Sequence, residues 1–154
     1  MIKLRKILVG VDFSDHSRVA VAYAAEFAKM FDAEVIVCHV AQRPDLISQL
    51  PPGGEGYFPP NIAQLEQDTA RTECTKLLAE FAISRGSIAT PIGTPFVELV
   101  RLAKDEQADL LVIGTHGRGA VAHMLLGSVA EKVVRKAPCP VLTVRQGEHE
   151  FIMP

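Results

Sequence analysis

The chain has 154 residues, with 16 Lys and Arg against 18 Asp and Glu, for a formal net charge of -2. One domain of ordinary size accounts for the length, and an apolar fraction of 48% supports a buried core rather than a disordered chain. The basic residues are scattered, apart from Lys3, Arg5 and Lys6, which argues against a nucleic-acid binder that neutralises phosphates with clustered cations.

The chain opens on KILVGVDFS, an apolar run ending at Asp12 and Ser14. The run is continuous rather than alternating, as expected for a parallel strand covered on both faces. Ser14 can cap the next segment, residues 14–31, where Ala20, Ala24, Phe27 and Phe31 recur at helical spacing. AEVIVCHV, residues 33–40, reads as a second buried strand. Residues 41–61 break the rhythm with five prolines and three glycines, so they read as a long loop. It is either a lid or a tolerated insertion, with Tyr57 and Phe58 as anchors.

Helical spacing returns over residues 62–85, with Leu65, Cys74, Leu77, Leu78 and Phe81 on the expected inner face. SIATPIG, residues 87–93, is a weaker strand, and Pro91 suits it to a sheet edge. Thr94 and Pro95 then form a helix start, with Phe96, Leu99, Val100 and Ala103 facing inward up to about Glu106. ADLLVIG, residues 108–114, is the most apolar strand. After a glycine-rich loop come a helix over residues 128–136, a last strand at Val141–Val144 and a tail over residues 146–154. Alternating strands and helices imply an α/β fold with a parallel sheet between helical layers. The unit is expected to span residues 1–145. Periodicity alone leaves the strand order open.

Cys38, Cys74 and Cys139 are well separated and form no CxxC pair, which fits a reducing compartment. The N-terminus lacks the long apolar stretch of a signal peptide, and no segment is long and apolar enough to span a membrane. The expected location is the cytoplasm.

The loop GTHGRGAVAHMLLGS, residues 114–128, lies beyond the fourth strand, where folds of this class bind ligands. Gly117 and Gly119 let backbone amides turn inward. Ser128 and Glu131 have the spacing of a capping box, while the Ser128 hydroxyl is equally suited to a phosphate beside the first amides of a helix. The loop is therefore either an anion cradle or a structural turn before a capped helix. It matches neither a Walker A loop nor the dinucleotide GxGxxG.

The spacing of Gly114, Gly117, Gly127 and Ser128, together with ILVGVDFS and GSVAEKVVRKAPCPVLTV, resembles the universal stress protein family along nearly the whole chain. The resemblance implies a five-stranded parallel sheet of order 3-2-1-4-5, an architecture like the adenine nucleotide alpha hydrolases. It also implies ATP binding. Asp12 and the Val40 backbone would lie near adenine and ribose. Gly114, Thr115 and His116 would line the ribose and first phosphate, and Gly117, Arg118, Gly127 and Ser128 would hold the polyphosphate, with Mg²⁺ or Mn²⁺ bridging. A homodimer through Val141–Val144 and an unidentified regulatory protein partner complete the expectation.

Dedicated catalysis is not expected. Asp12 and His116 can be drawn as an acid-base pair, but a carboxylate that meets ribose and caps local amides explains Asp12 better. His16 beside Ser14 and Ser17 reads as a helix start. His39 is either buried or turned toward the pocket, and no HExxH or cysteine-rich metal set occurs. The function implied is a nucleotide-dependent regulatory or stress-response dimer. The alternatives are a slow ATPase and a dimeric interaction module without nucleotide.

Overall fold

The computed structural model describes residues 1–42, 61–116 and 126–146. The elements run β1 (Lys6–Gly10), α1 (Asp15–Phe31), β2 (Glu34–Cys38), α2 (Ile62–Glu80), β3 (Gly86–Ala89), α3 (Pro95–Asp105), β4 (Leu110–Gly114), α4 (Ser128–Lys136) and β5 (Val141–Val144). The strands form one parallel sheet of order β3-β2-β1-β4-β5. Most of the expected loop over residues 41–61, with its anchors Tyr57 and Phe58, lies outside the described residues, as does the tail from residue 147.

Alternation along each strand divides the core into two layers. Ile7, Val9, Val35 and Val37 face one way and bury against Ala20, Val21 and Ala24 of α1 and Cys74 and Leu77 of α2. Leu8, Ile36, Cys38 and Leu111 face the other way, against Leu99 and Ala103 of α3 and Ala130 and Val133 of α4. The central strands are thus apolar on both faces, which explains why the first strand lacks polar alternation.

Local chemistry sets the ends of the elements. Ser14 is the N-cap of α1, its hydroxyl oxygen accepting the Ser17 N–H at 3.3 Å. Asp32 ends α1 in the left-handed conformation, φ 53°. The third helix begins at Thr94 and Pro95 as expected, but the Thr94 side chain makes no capping bond.

Several expectations need correcting. The second helix stops at Glu80 rather than residue 85, because Ala82 turns left-handed at φ 51° and Ile83 N–H reaches back to the Leu78 carbonyl at 2.9 Å. The third strand covers Gly86–Ala89 and stops short of Pro91, which has no N–H to donate. Ile92 makes only an isolated bridge to Ala41. It is an edge strand, as Pro91 suggested. Leu65 is 65% exposed rather than inward, and Phe31, in the last turn of α1, is 45% exposed.

Candidate functional site

The strand order reverses between β1 and β4. From β1 the chain moves outward through β2 to β3, then crosses back to β4 on the other side. Loops leaving the C-terminal ends of two such strands diverge and leave a crevice between them. The register sets Gly10 opposite Ile113, so Asp12 and Thr115 each stand two residues beyond the same rung.

At the β1 end, Asp12 folds back on its own turn. Its Oδ1 accepts the Ser14 N–H at 3.0 Å and also the Ser14 hydroxyl. This is the Asx pattern by which a short carboxylate substitutes for a backbone acceptor. Between them Phe13 takes φ 63°, a left-handed conformation unusual for a bulky side chain. One strand outward, His39 and Val40 follow β2. Val40 is 6% exposed and its side chain belongs to the core, so a ligand could meet it only through its backbone.

At the β4 end, Gly114 is closely packed. A Cβ there would come within 3.1 Å of the His16 carbonyl carbon and Cβ, so the end of the strand rests directly on the first turn of α1. The contact also sets the His16 and His116 rings 5.5 Å apart. His16 Nδ1 accepts the Gln146 N–H at 3.3 Å, which leaves Nε2 to carry the proton of a neutral ring. Thr115 is buried and ties three elements together. Its N–H donates to Val144 O at 2.8 Å, its carbonyl accepts from Gly127 N–H at 2.6 Å, and its hydroxyl meets His116 Nδ1 at 2.9 Å.

The Thr115–Gly127 bond brings the start of α4 alongside the end of β4. Gly127, and not Ser128, is the N-cap, with φ -66° and ψ 157°, and Ser128 is the first helical residue. The expected capping box is therefore displaced by one position. Glu131 N–H makes the first helical bond, to Gly127 O, and the Glu131 carboxylate pairs with Arg135 at 3.1 Å instead of reaching back. The amides of Ser128, Val129 and Ala130 precede that first bond and have no partner within the helix. Ser128 is exposed beside them. A helix start of this kind attracts an anion through its directed N–H groups and its dipole.

Asp12, Val40, Gly114, Thr115, His116, Gly127 and Ser128 thus all stand along the C-terminal edge of the sheet. Gly117 and Arg118 lie outside the described residues. Among the described residues, no group of three or more His, Cys, Asp or Glu side chains is arranged to hold a metal ion. No helix there is long and apolar enough to cross a membrane.

Two contributors were not legible as such in the sequence. His39 donates from Nδ1 to the Val11 carbonyl at 2.8 Å, stacks on Phe13 at a centroid distance of 4.6 Å, and places Nε2 4.0 Å from Glu66 of α2. His16 meets Gly114 and His116 across most of the chain, and no local pattern announces such a pairing.

Residues 3–145 match the model of the universal stress protein family. The chain belongs to that family. Universal stress protein MJ0531 of Methanocaldococcus jannaschii is 35% identical over 148 residues, covering 95% of this chain and 85% of that protein. A universal stress protein solved in complex with cAMP is 29% identical with a TM-score of 0.63, covering 92% of this chain and 97% of the other. The Archaeoglobus fulgidus universal stress protein, solved in complex with dAMP, is 25% identical with a TM-score of 0.64, covering 93% and 98% respectively. The five-stranded parallel sheet of this universal stress protein is the fold that the motif residues implied.

Proposed function

We propose that this universal stress protein binds ATP at the crevice between β1 and β4 and acts as a nucleotide-dependent regulatory dimer in a stress response. One observation carries the reading. The 2.6 Å bond from Gly127 N–H to Thr115 O holds a helix N-terminus, with its outward amides and the Ser128 hydroxyl, at the point where the strand order reverses. Phosphates bind there, while base and ribose extend toward Asp12 and the Val40 backbone. The two relatives solved with cAMP and dAMP support an adenine nucleotide as the class of ligand.

The protein's part in this reading is to bind and orient. Mg²⁺ or Mn²⁺ would be held chiefly by the phosphate oxygens of the nucleotide, where it would offset their charge. The free thiols Cys38, Cys74 and Cys139 support a reducing compartment, and we assign the protein to the cytoplasm on that basis.

Ser128→Asp tests the reading cleanly. An acid in the first turn favours the helix dipole, so the fold is kept, while the new carboxylate repels phosphate. Calorimetry with ATP is expected to give saturable binding to the native protein and at least about a tenfold loss in the variant, the scale of one charge-assisted contact. Equal affinity in both proteins refutes the phosphate site. No binding of ATP, ADP or AMP to the native protein refutes the whole reading and favours an interaction module.

A further inference from the structure

His39 sits where β1 and β2 stop pairing. Val11 N–H still donates to Cys38 O at 2.8 Å, the last regular rung between these strands. In a parallel ladder the next rung would run from Val40 N–H to the Val11 carbonyl, since a residue's N–H and C=O bracket one partner. It does not form. The Val11 carbonyl accepts from His39 Nδ1 at 2.8 Å instead. A carbonyl can only accept, so the neutral imidazole holds its proton on Nδ1. Among the described residues Val40 N–H has no backbone acceptor.

The same ring also supports the other side of Asp12. Its face lies against Phe13 at 4.6 Å and 28° between planes. The left-handed backbone of Phe13 carries a steric penalty, which an aromatic stack of this kind offsets. One side chain thus fixes the residues on both flanks of Asp12, whose carboxylate faces back toward Ser14.

We propose that His39 is a positioning residue for nucleotide binding: by substituting its imidazole N–H for the next ladder rung, it releases the Val40 amide as a donor for the base and holds the Asp12 turn in its binding conformation. The inference rests on the nucleotide reading given above, and it names the group that prepares the base and ribose end of that site.

Two variants separate the parts of this device. His39→Asn keeps an N–H donor one atom beyond Cγ, as Nδ1 is, and loses the stack. His39→Phe keeps a ring and loses the donor, so Val40 N–H is free to fall back onto Val11 O. Amide hydrogen exchange on the nucleotide-free protein reads the rung directly. Calorimetry with ATP reads its consequence, and thermal melting monitors the fold.

The expected result in His39→Phe is slower exchange at Val40 and about a tenfold weaker ATP affinity, the scale of one hydrogen bond. In His39→Asn, Val40 exchange is expected to match the native protein, with affinity within about threefold, because the donor is kept. Unchanged Val40 exchange in His39→Phe overturns the proposal, as does affinity that falls equally in both variants in step with melting temperature. If the native protein binds no nucleotide, the functional reading fails at that step, and the exchange measurement still decides whether His39 occupies the rung.

Discussion

Cys38 and Cys74 show how burial alone sets residue chemistry. Each thiol is pushed up to about 12 from an ordinary value near 9, chiefly by removal from water, with weaker contributions from neighbouring negative charge. Between those values the folded protein keeps protons that the unfolded chain releases, so stability falls as pH rises from about 9 toward 12 and is unaffected by these groups below that range. Lys6 acts in the same direction at alkaline pH, since its hydrogen bond to Glu106 raises its pKa and loses its charge assistance on deprotonation. Urea midpoints are therefore expected to be level between pH 7 and 8 and to decline above about 9. A Cys38→Ala, Cys74→Ala double variant should start lower, for lost packing, and decline less steeply. A decline of equal slope in both proteins would remove the thiols from the explanation.

At the scale of elements, the helix starts are not equivalent. The hydroxyl of Ser14 caps α1 and donates to Asp12, whereas Thr94 stands at the head of α3 without a side-chain cap. Ser14→Ala is expected to cost about 1 kcal/mol of unfolding free energy, and Thr94→Ala distinctly less, as measured by urea denaturation. Equal losses would mean that the hydroxyl of Ser14 contributes little. Ser14 was legible as a cap because a polar residue directly preceded a helical apolar stripe. Ser128 was misread by one position because Gly127 offers no side chain to signal its role. The boundary of β3 slipped for a related reason: Pro91 has no N–H for the next ladder bond, so pairing resumes only as the isolated bridge between Ala41 and Ile92.

For the whole molecule, the two sheet edges differ. β3 is short and is followed by Pro91. β5 carries Val141, Leu142 and Val144 and pairs only with β4 among the described strands. Its bonds to β4 run through Pro140 and Val144, so the alternate residue Thr143 directs its N–H to the free side. An apolar edge of this kind is usually covered, and in the proposed dimer two-fold pairing with a second copy would cover it. Light scattering is expected to give twice the monomer mass for the native protein. Thr143→Pro should give a monomer with unchanged circular dichroism, because only the outward donor is removed. A monomeric native protein, or a dimeric Thr143→Pro, would place any partner surface elsewhere.

The order of strands and helices, the apolar cores of β1, β2 and β4, and the glycine-rich segment that follows β4 in the chain were all determined by the sequence itself. Periodicity, caps and loop chemistry are local properties, and the chain states them directly. The spacing of Gly114, Gly117, Gly127 and Ser128 carried the family and, through it, the strand order. Only the tertiary structure decided that Gly127 bonds Thr115, that His16 rests on Gly114, and that His39 replaces a rung between β1 and β2. Those contacts join residues brought together by strand crossover, and no local pattern encodes which distant groups a crossover will set side by side.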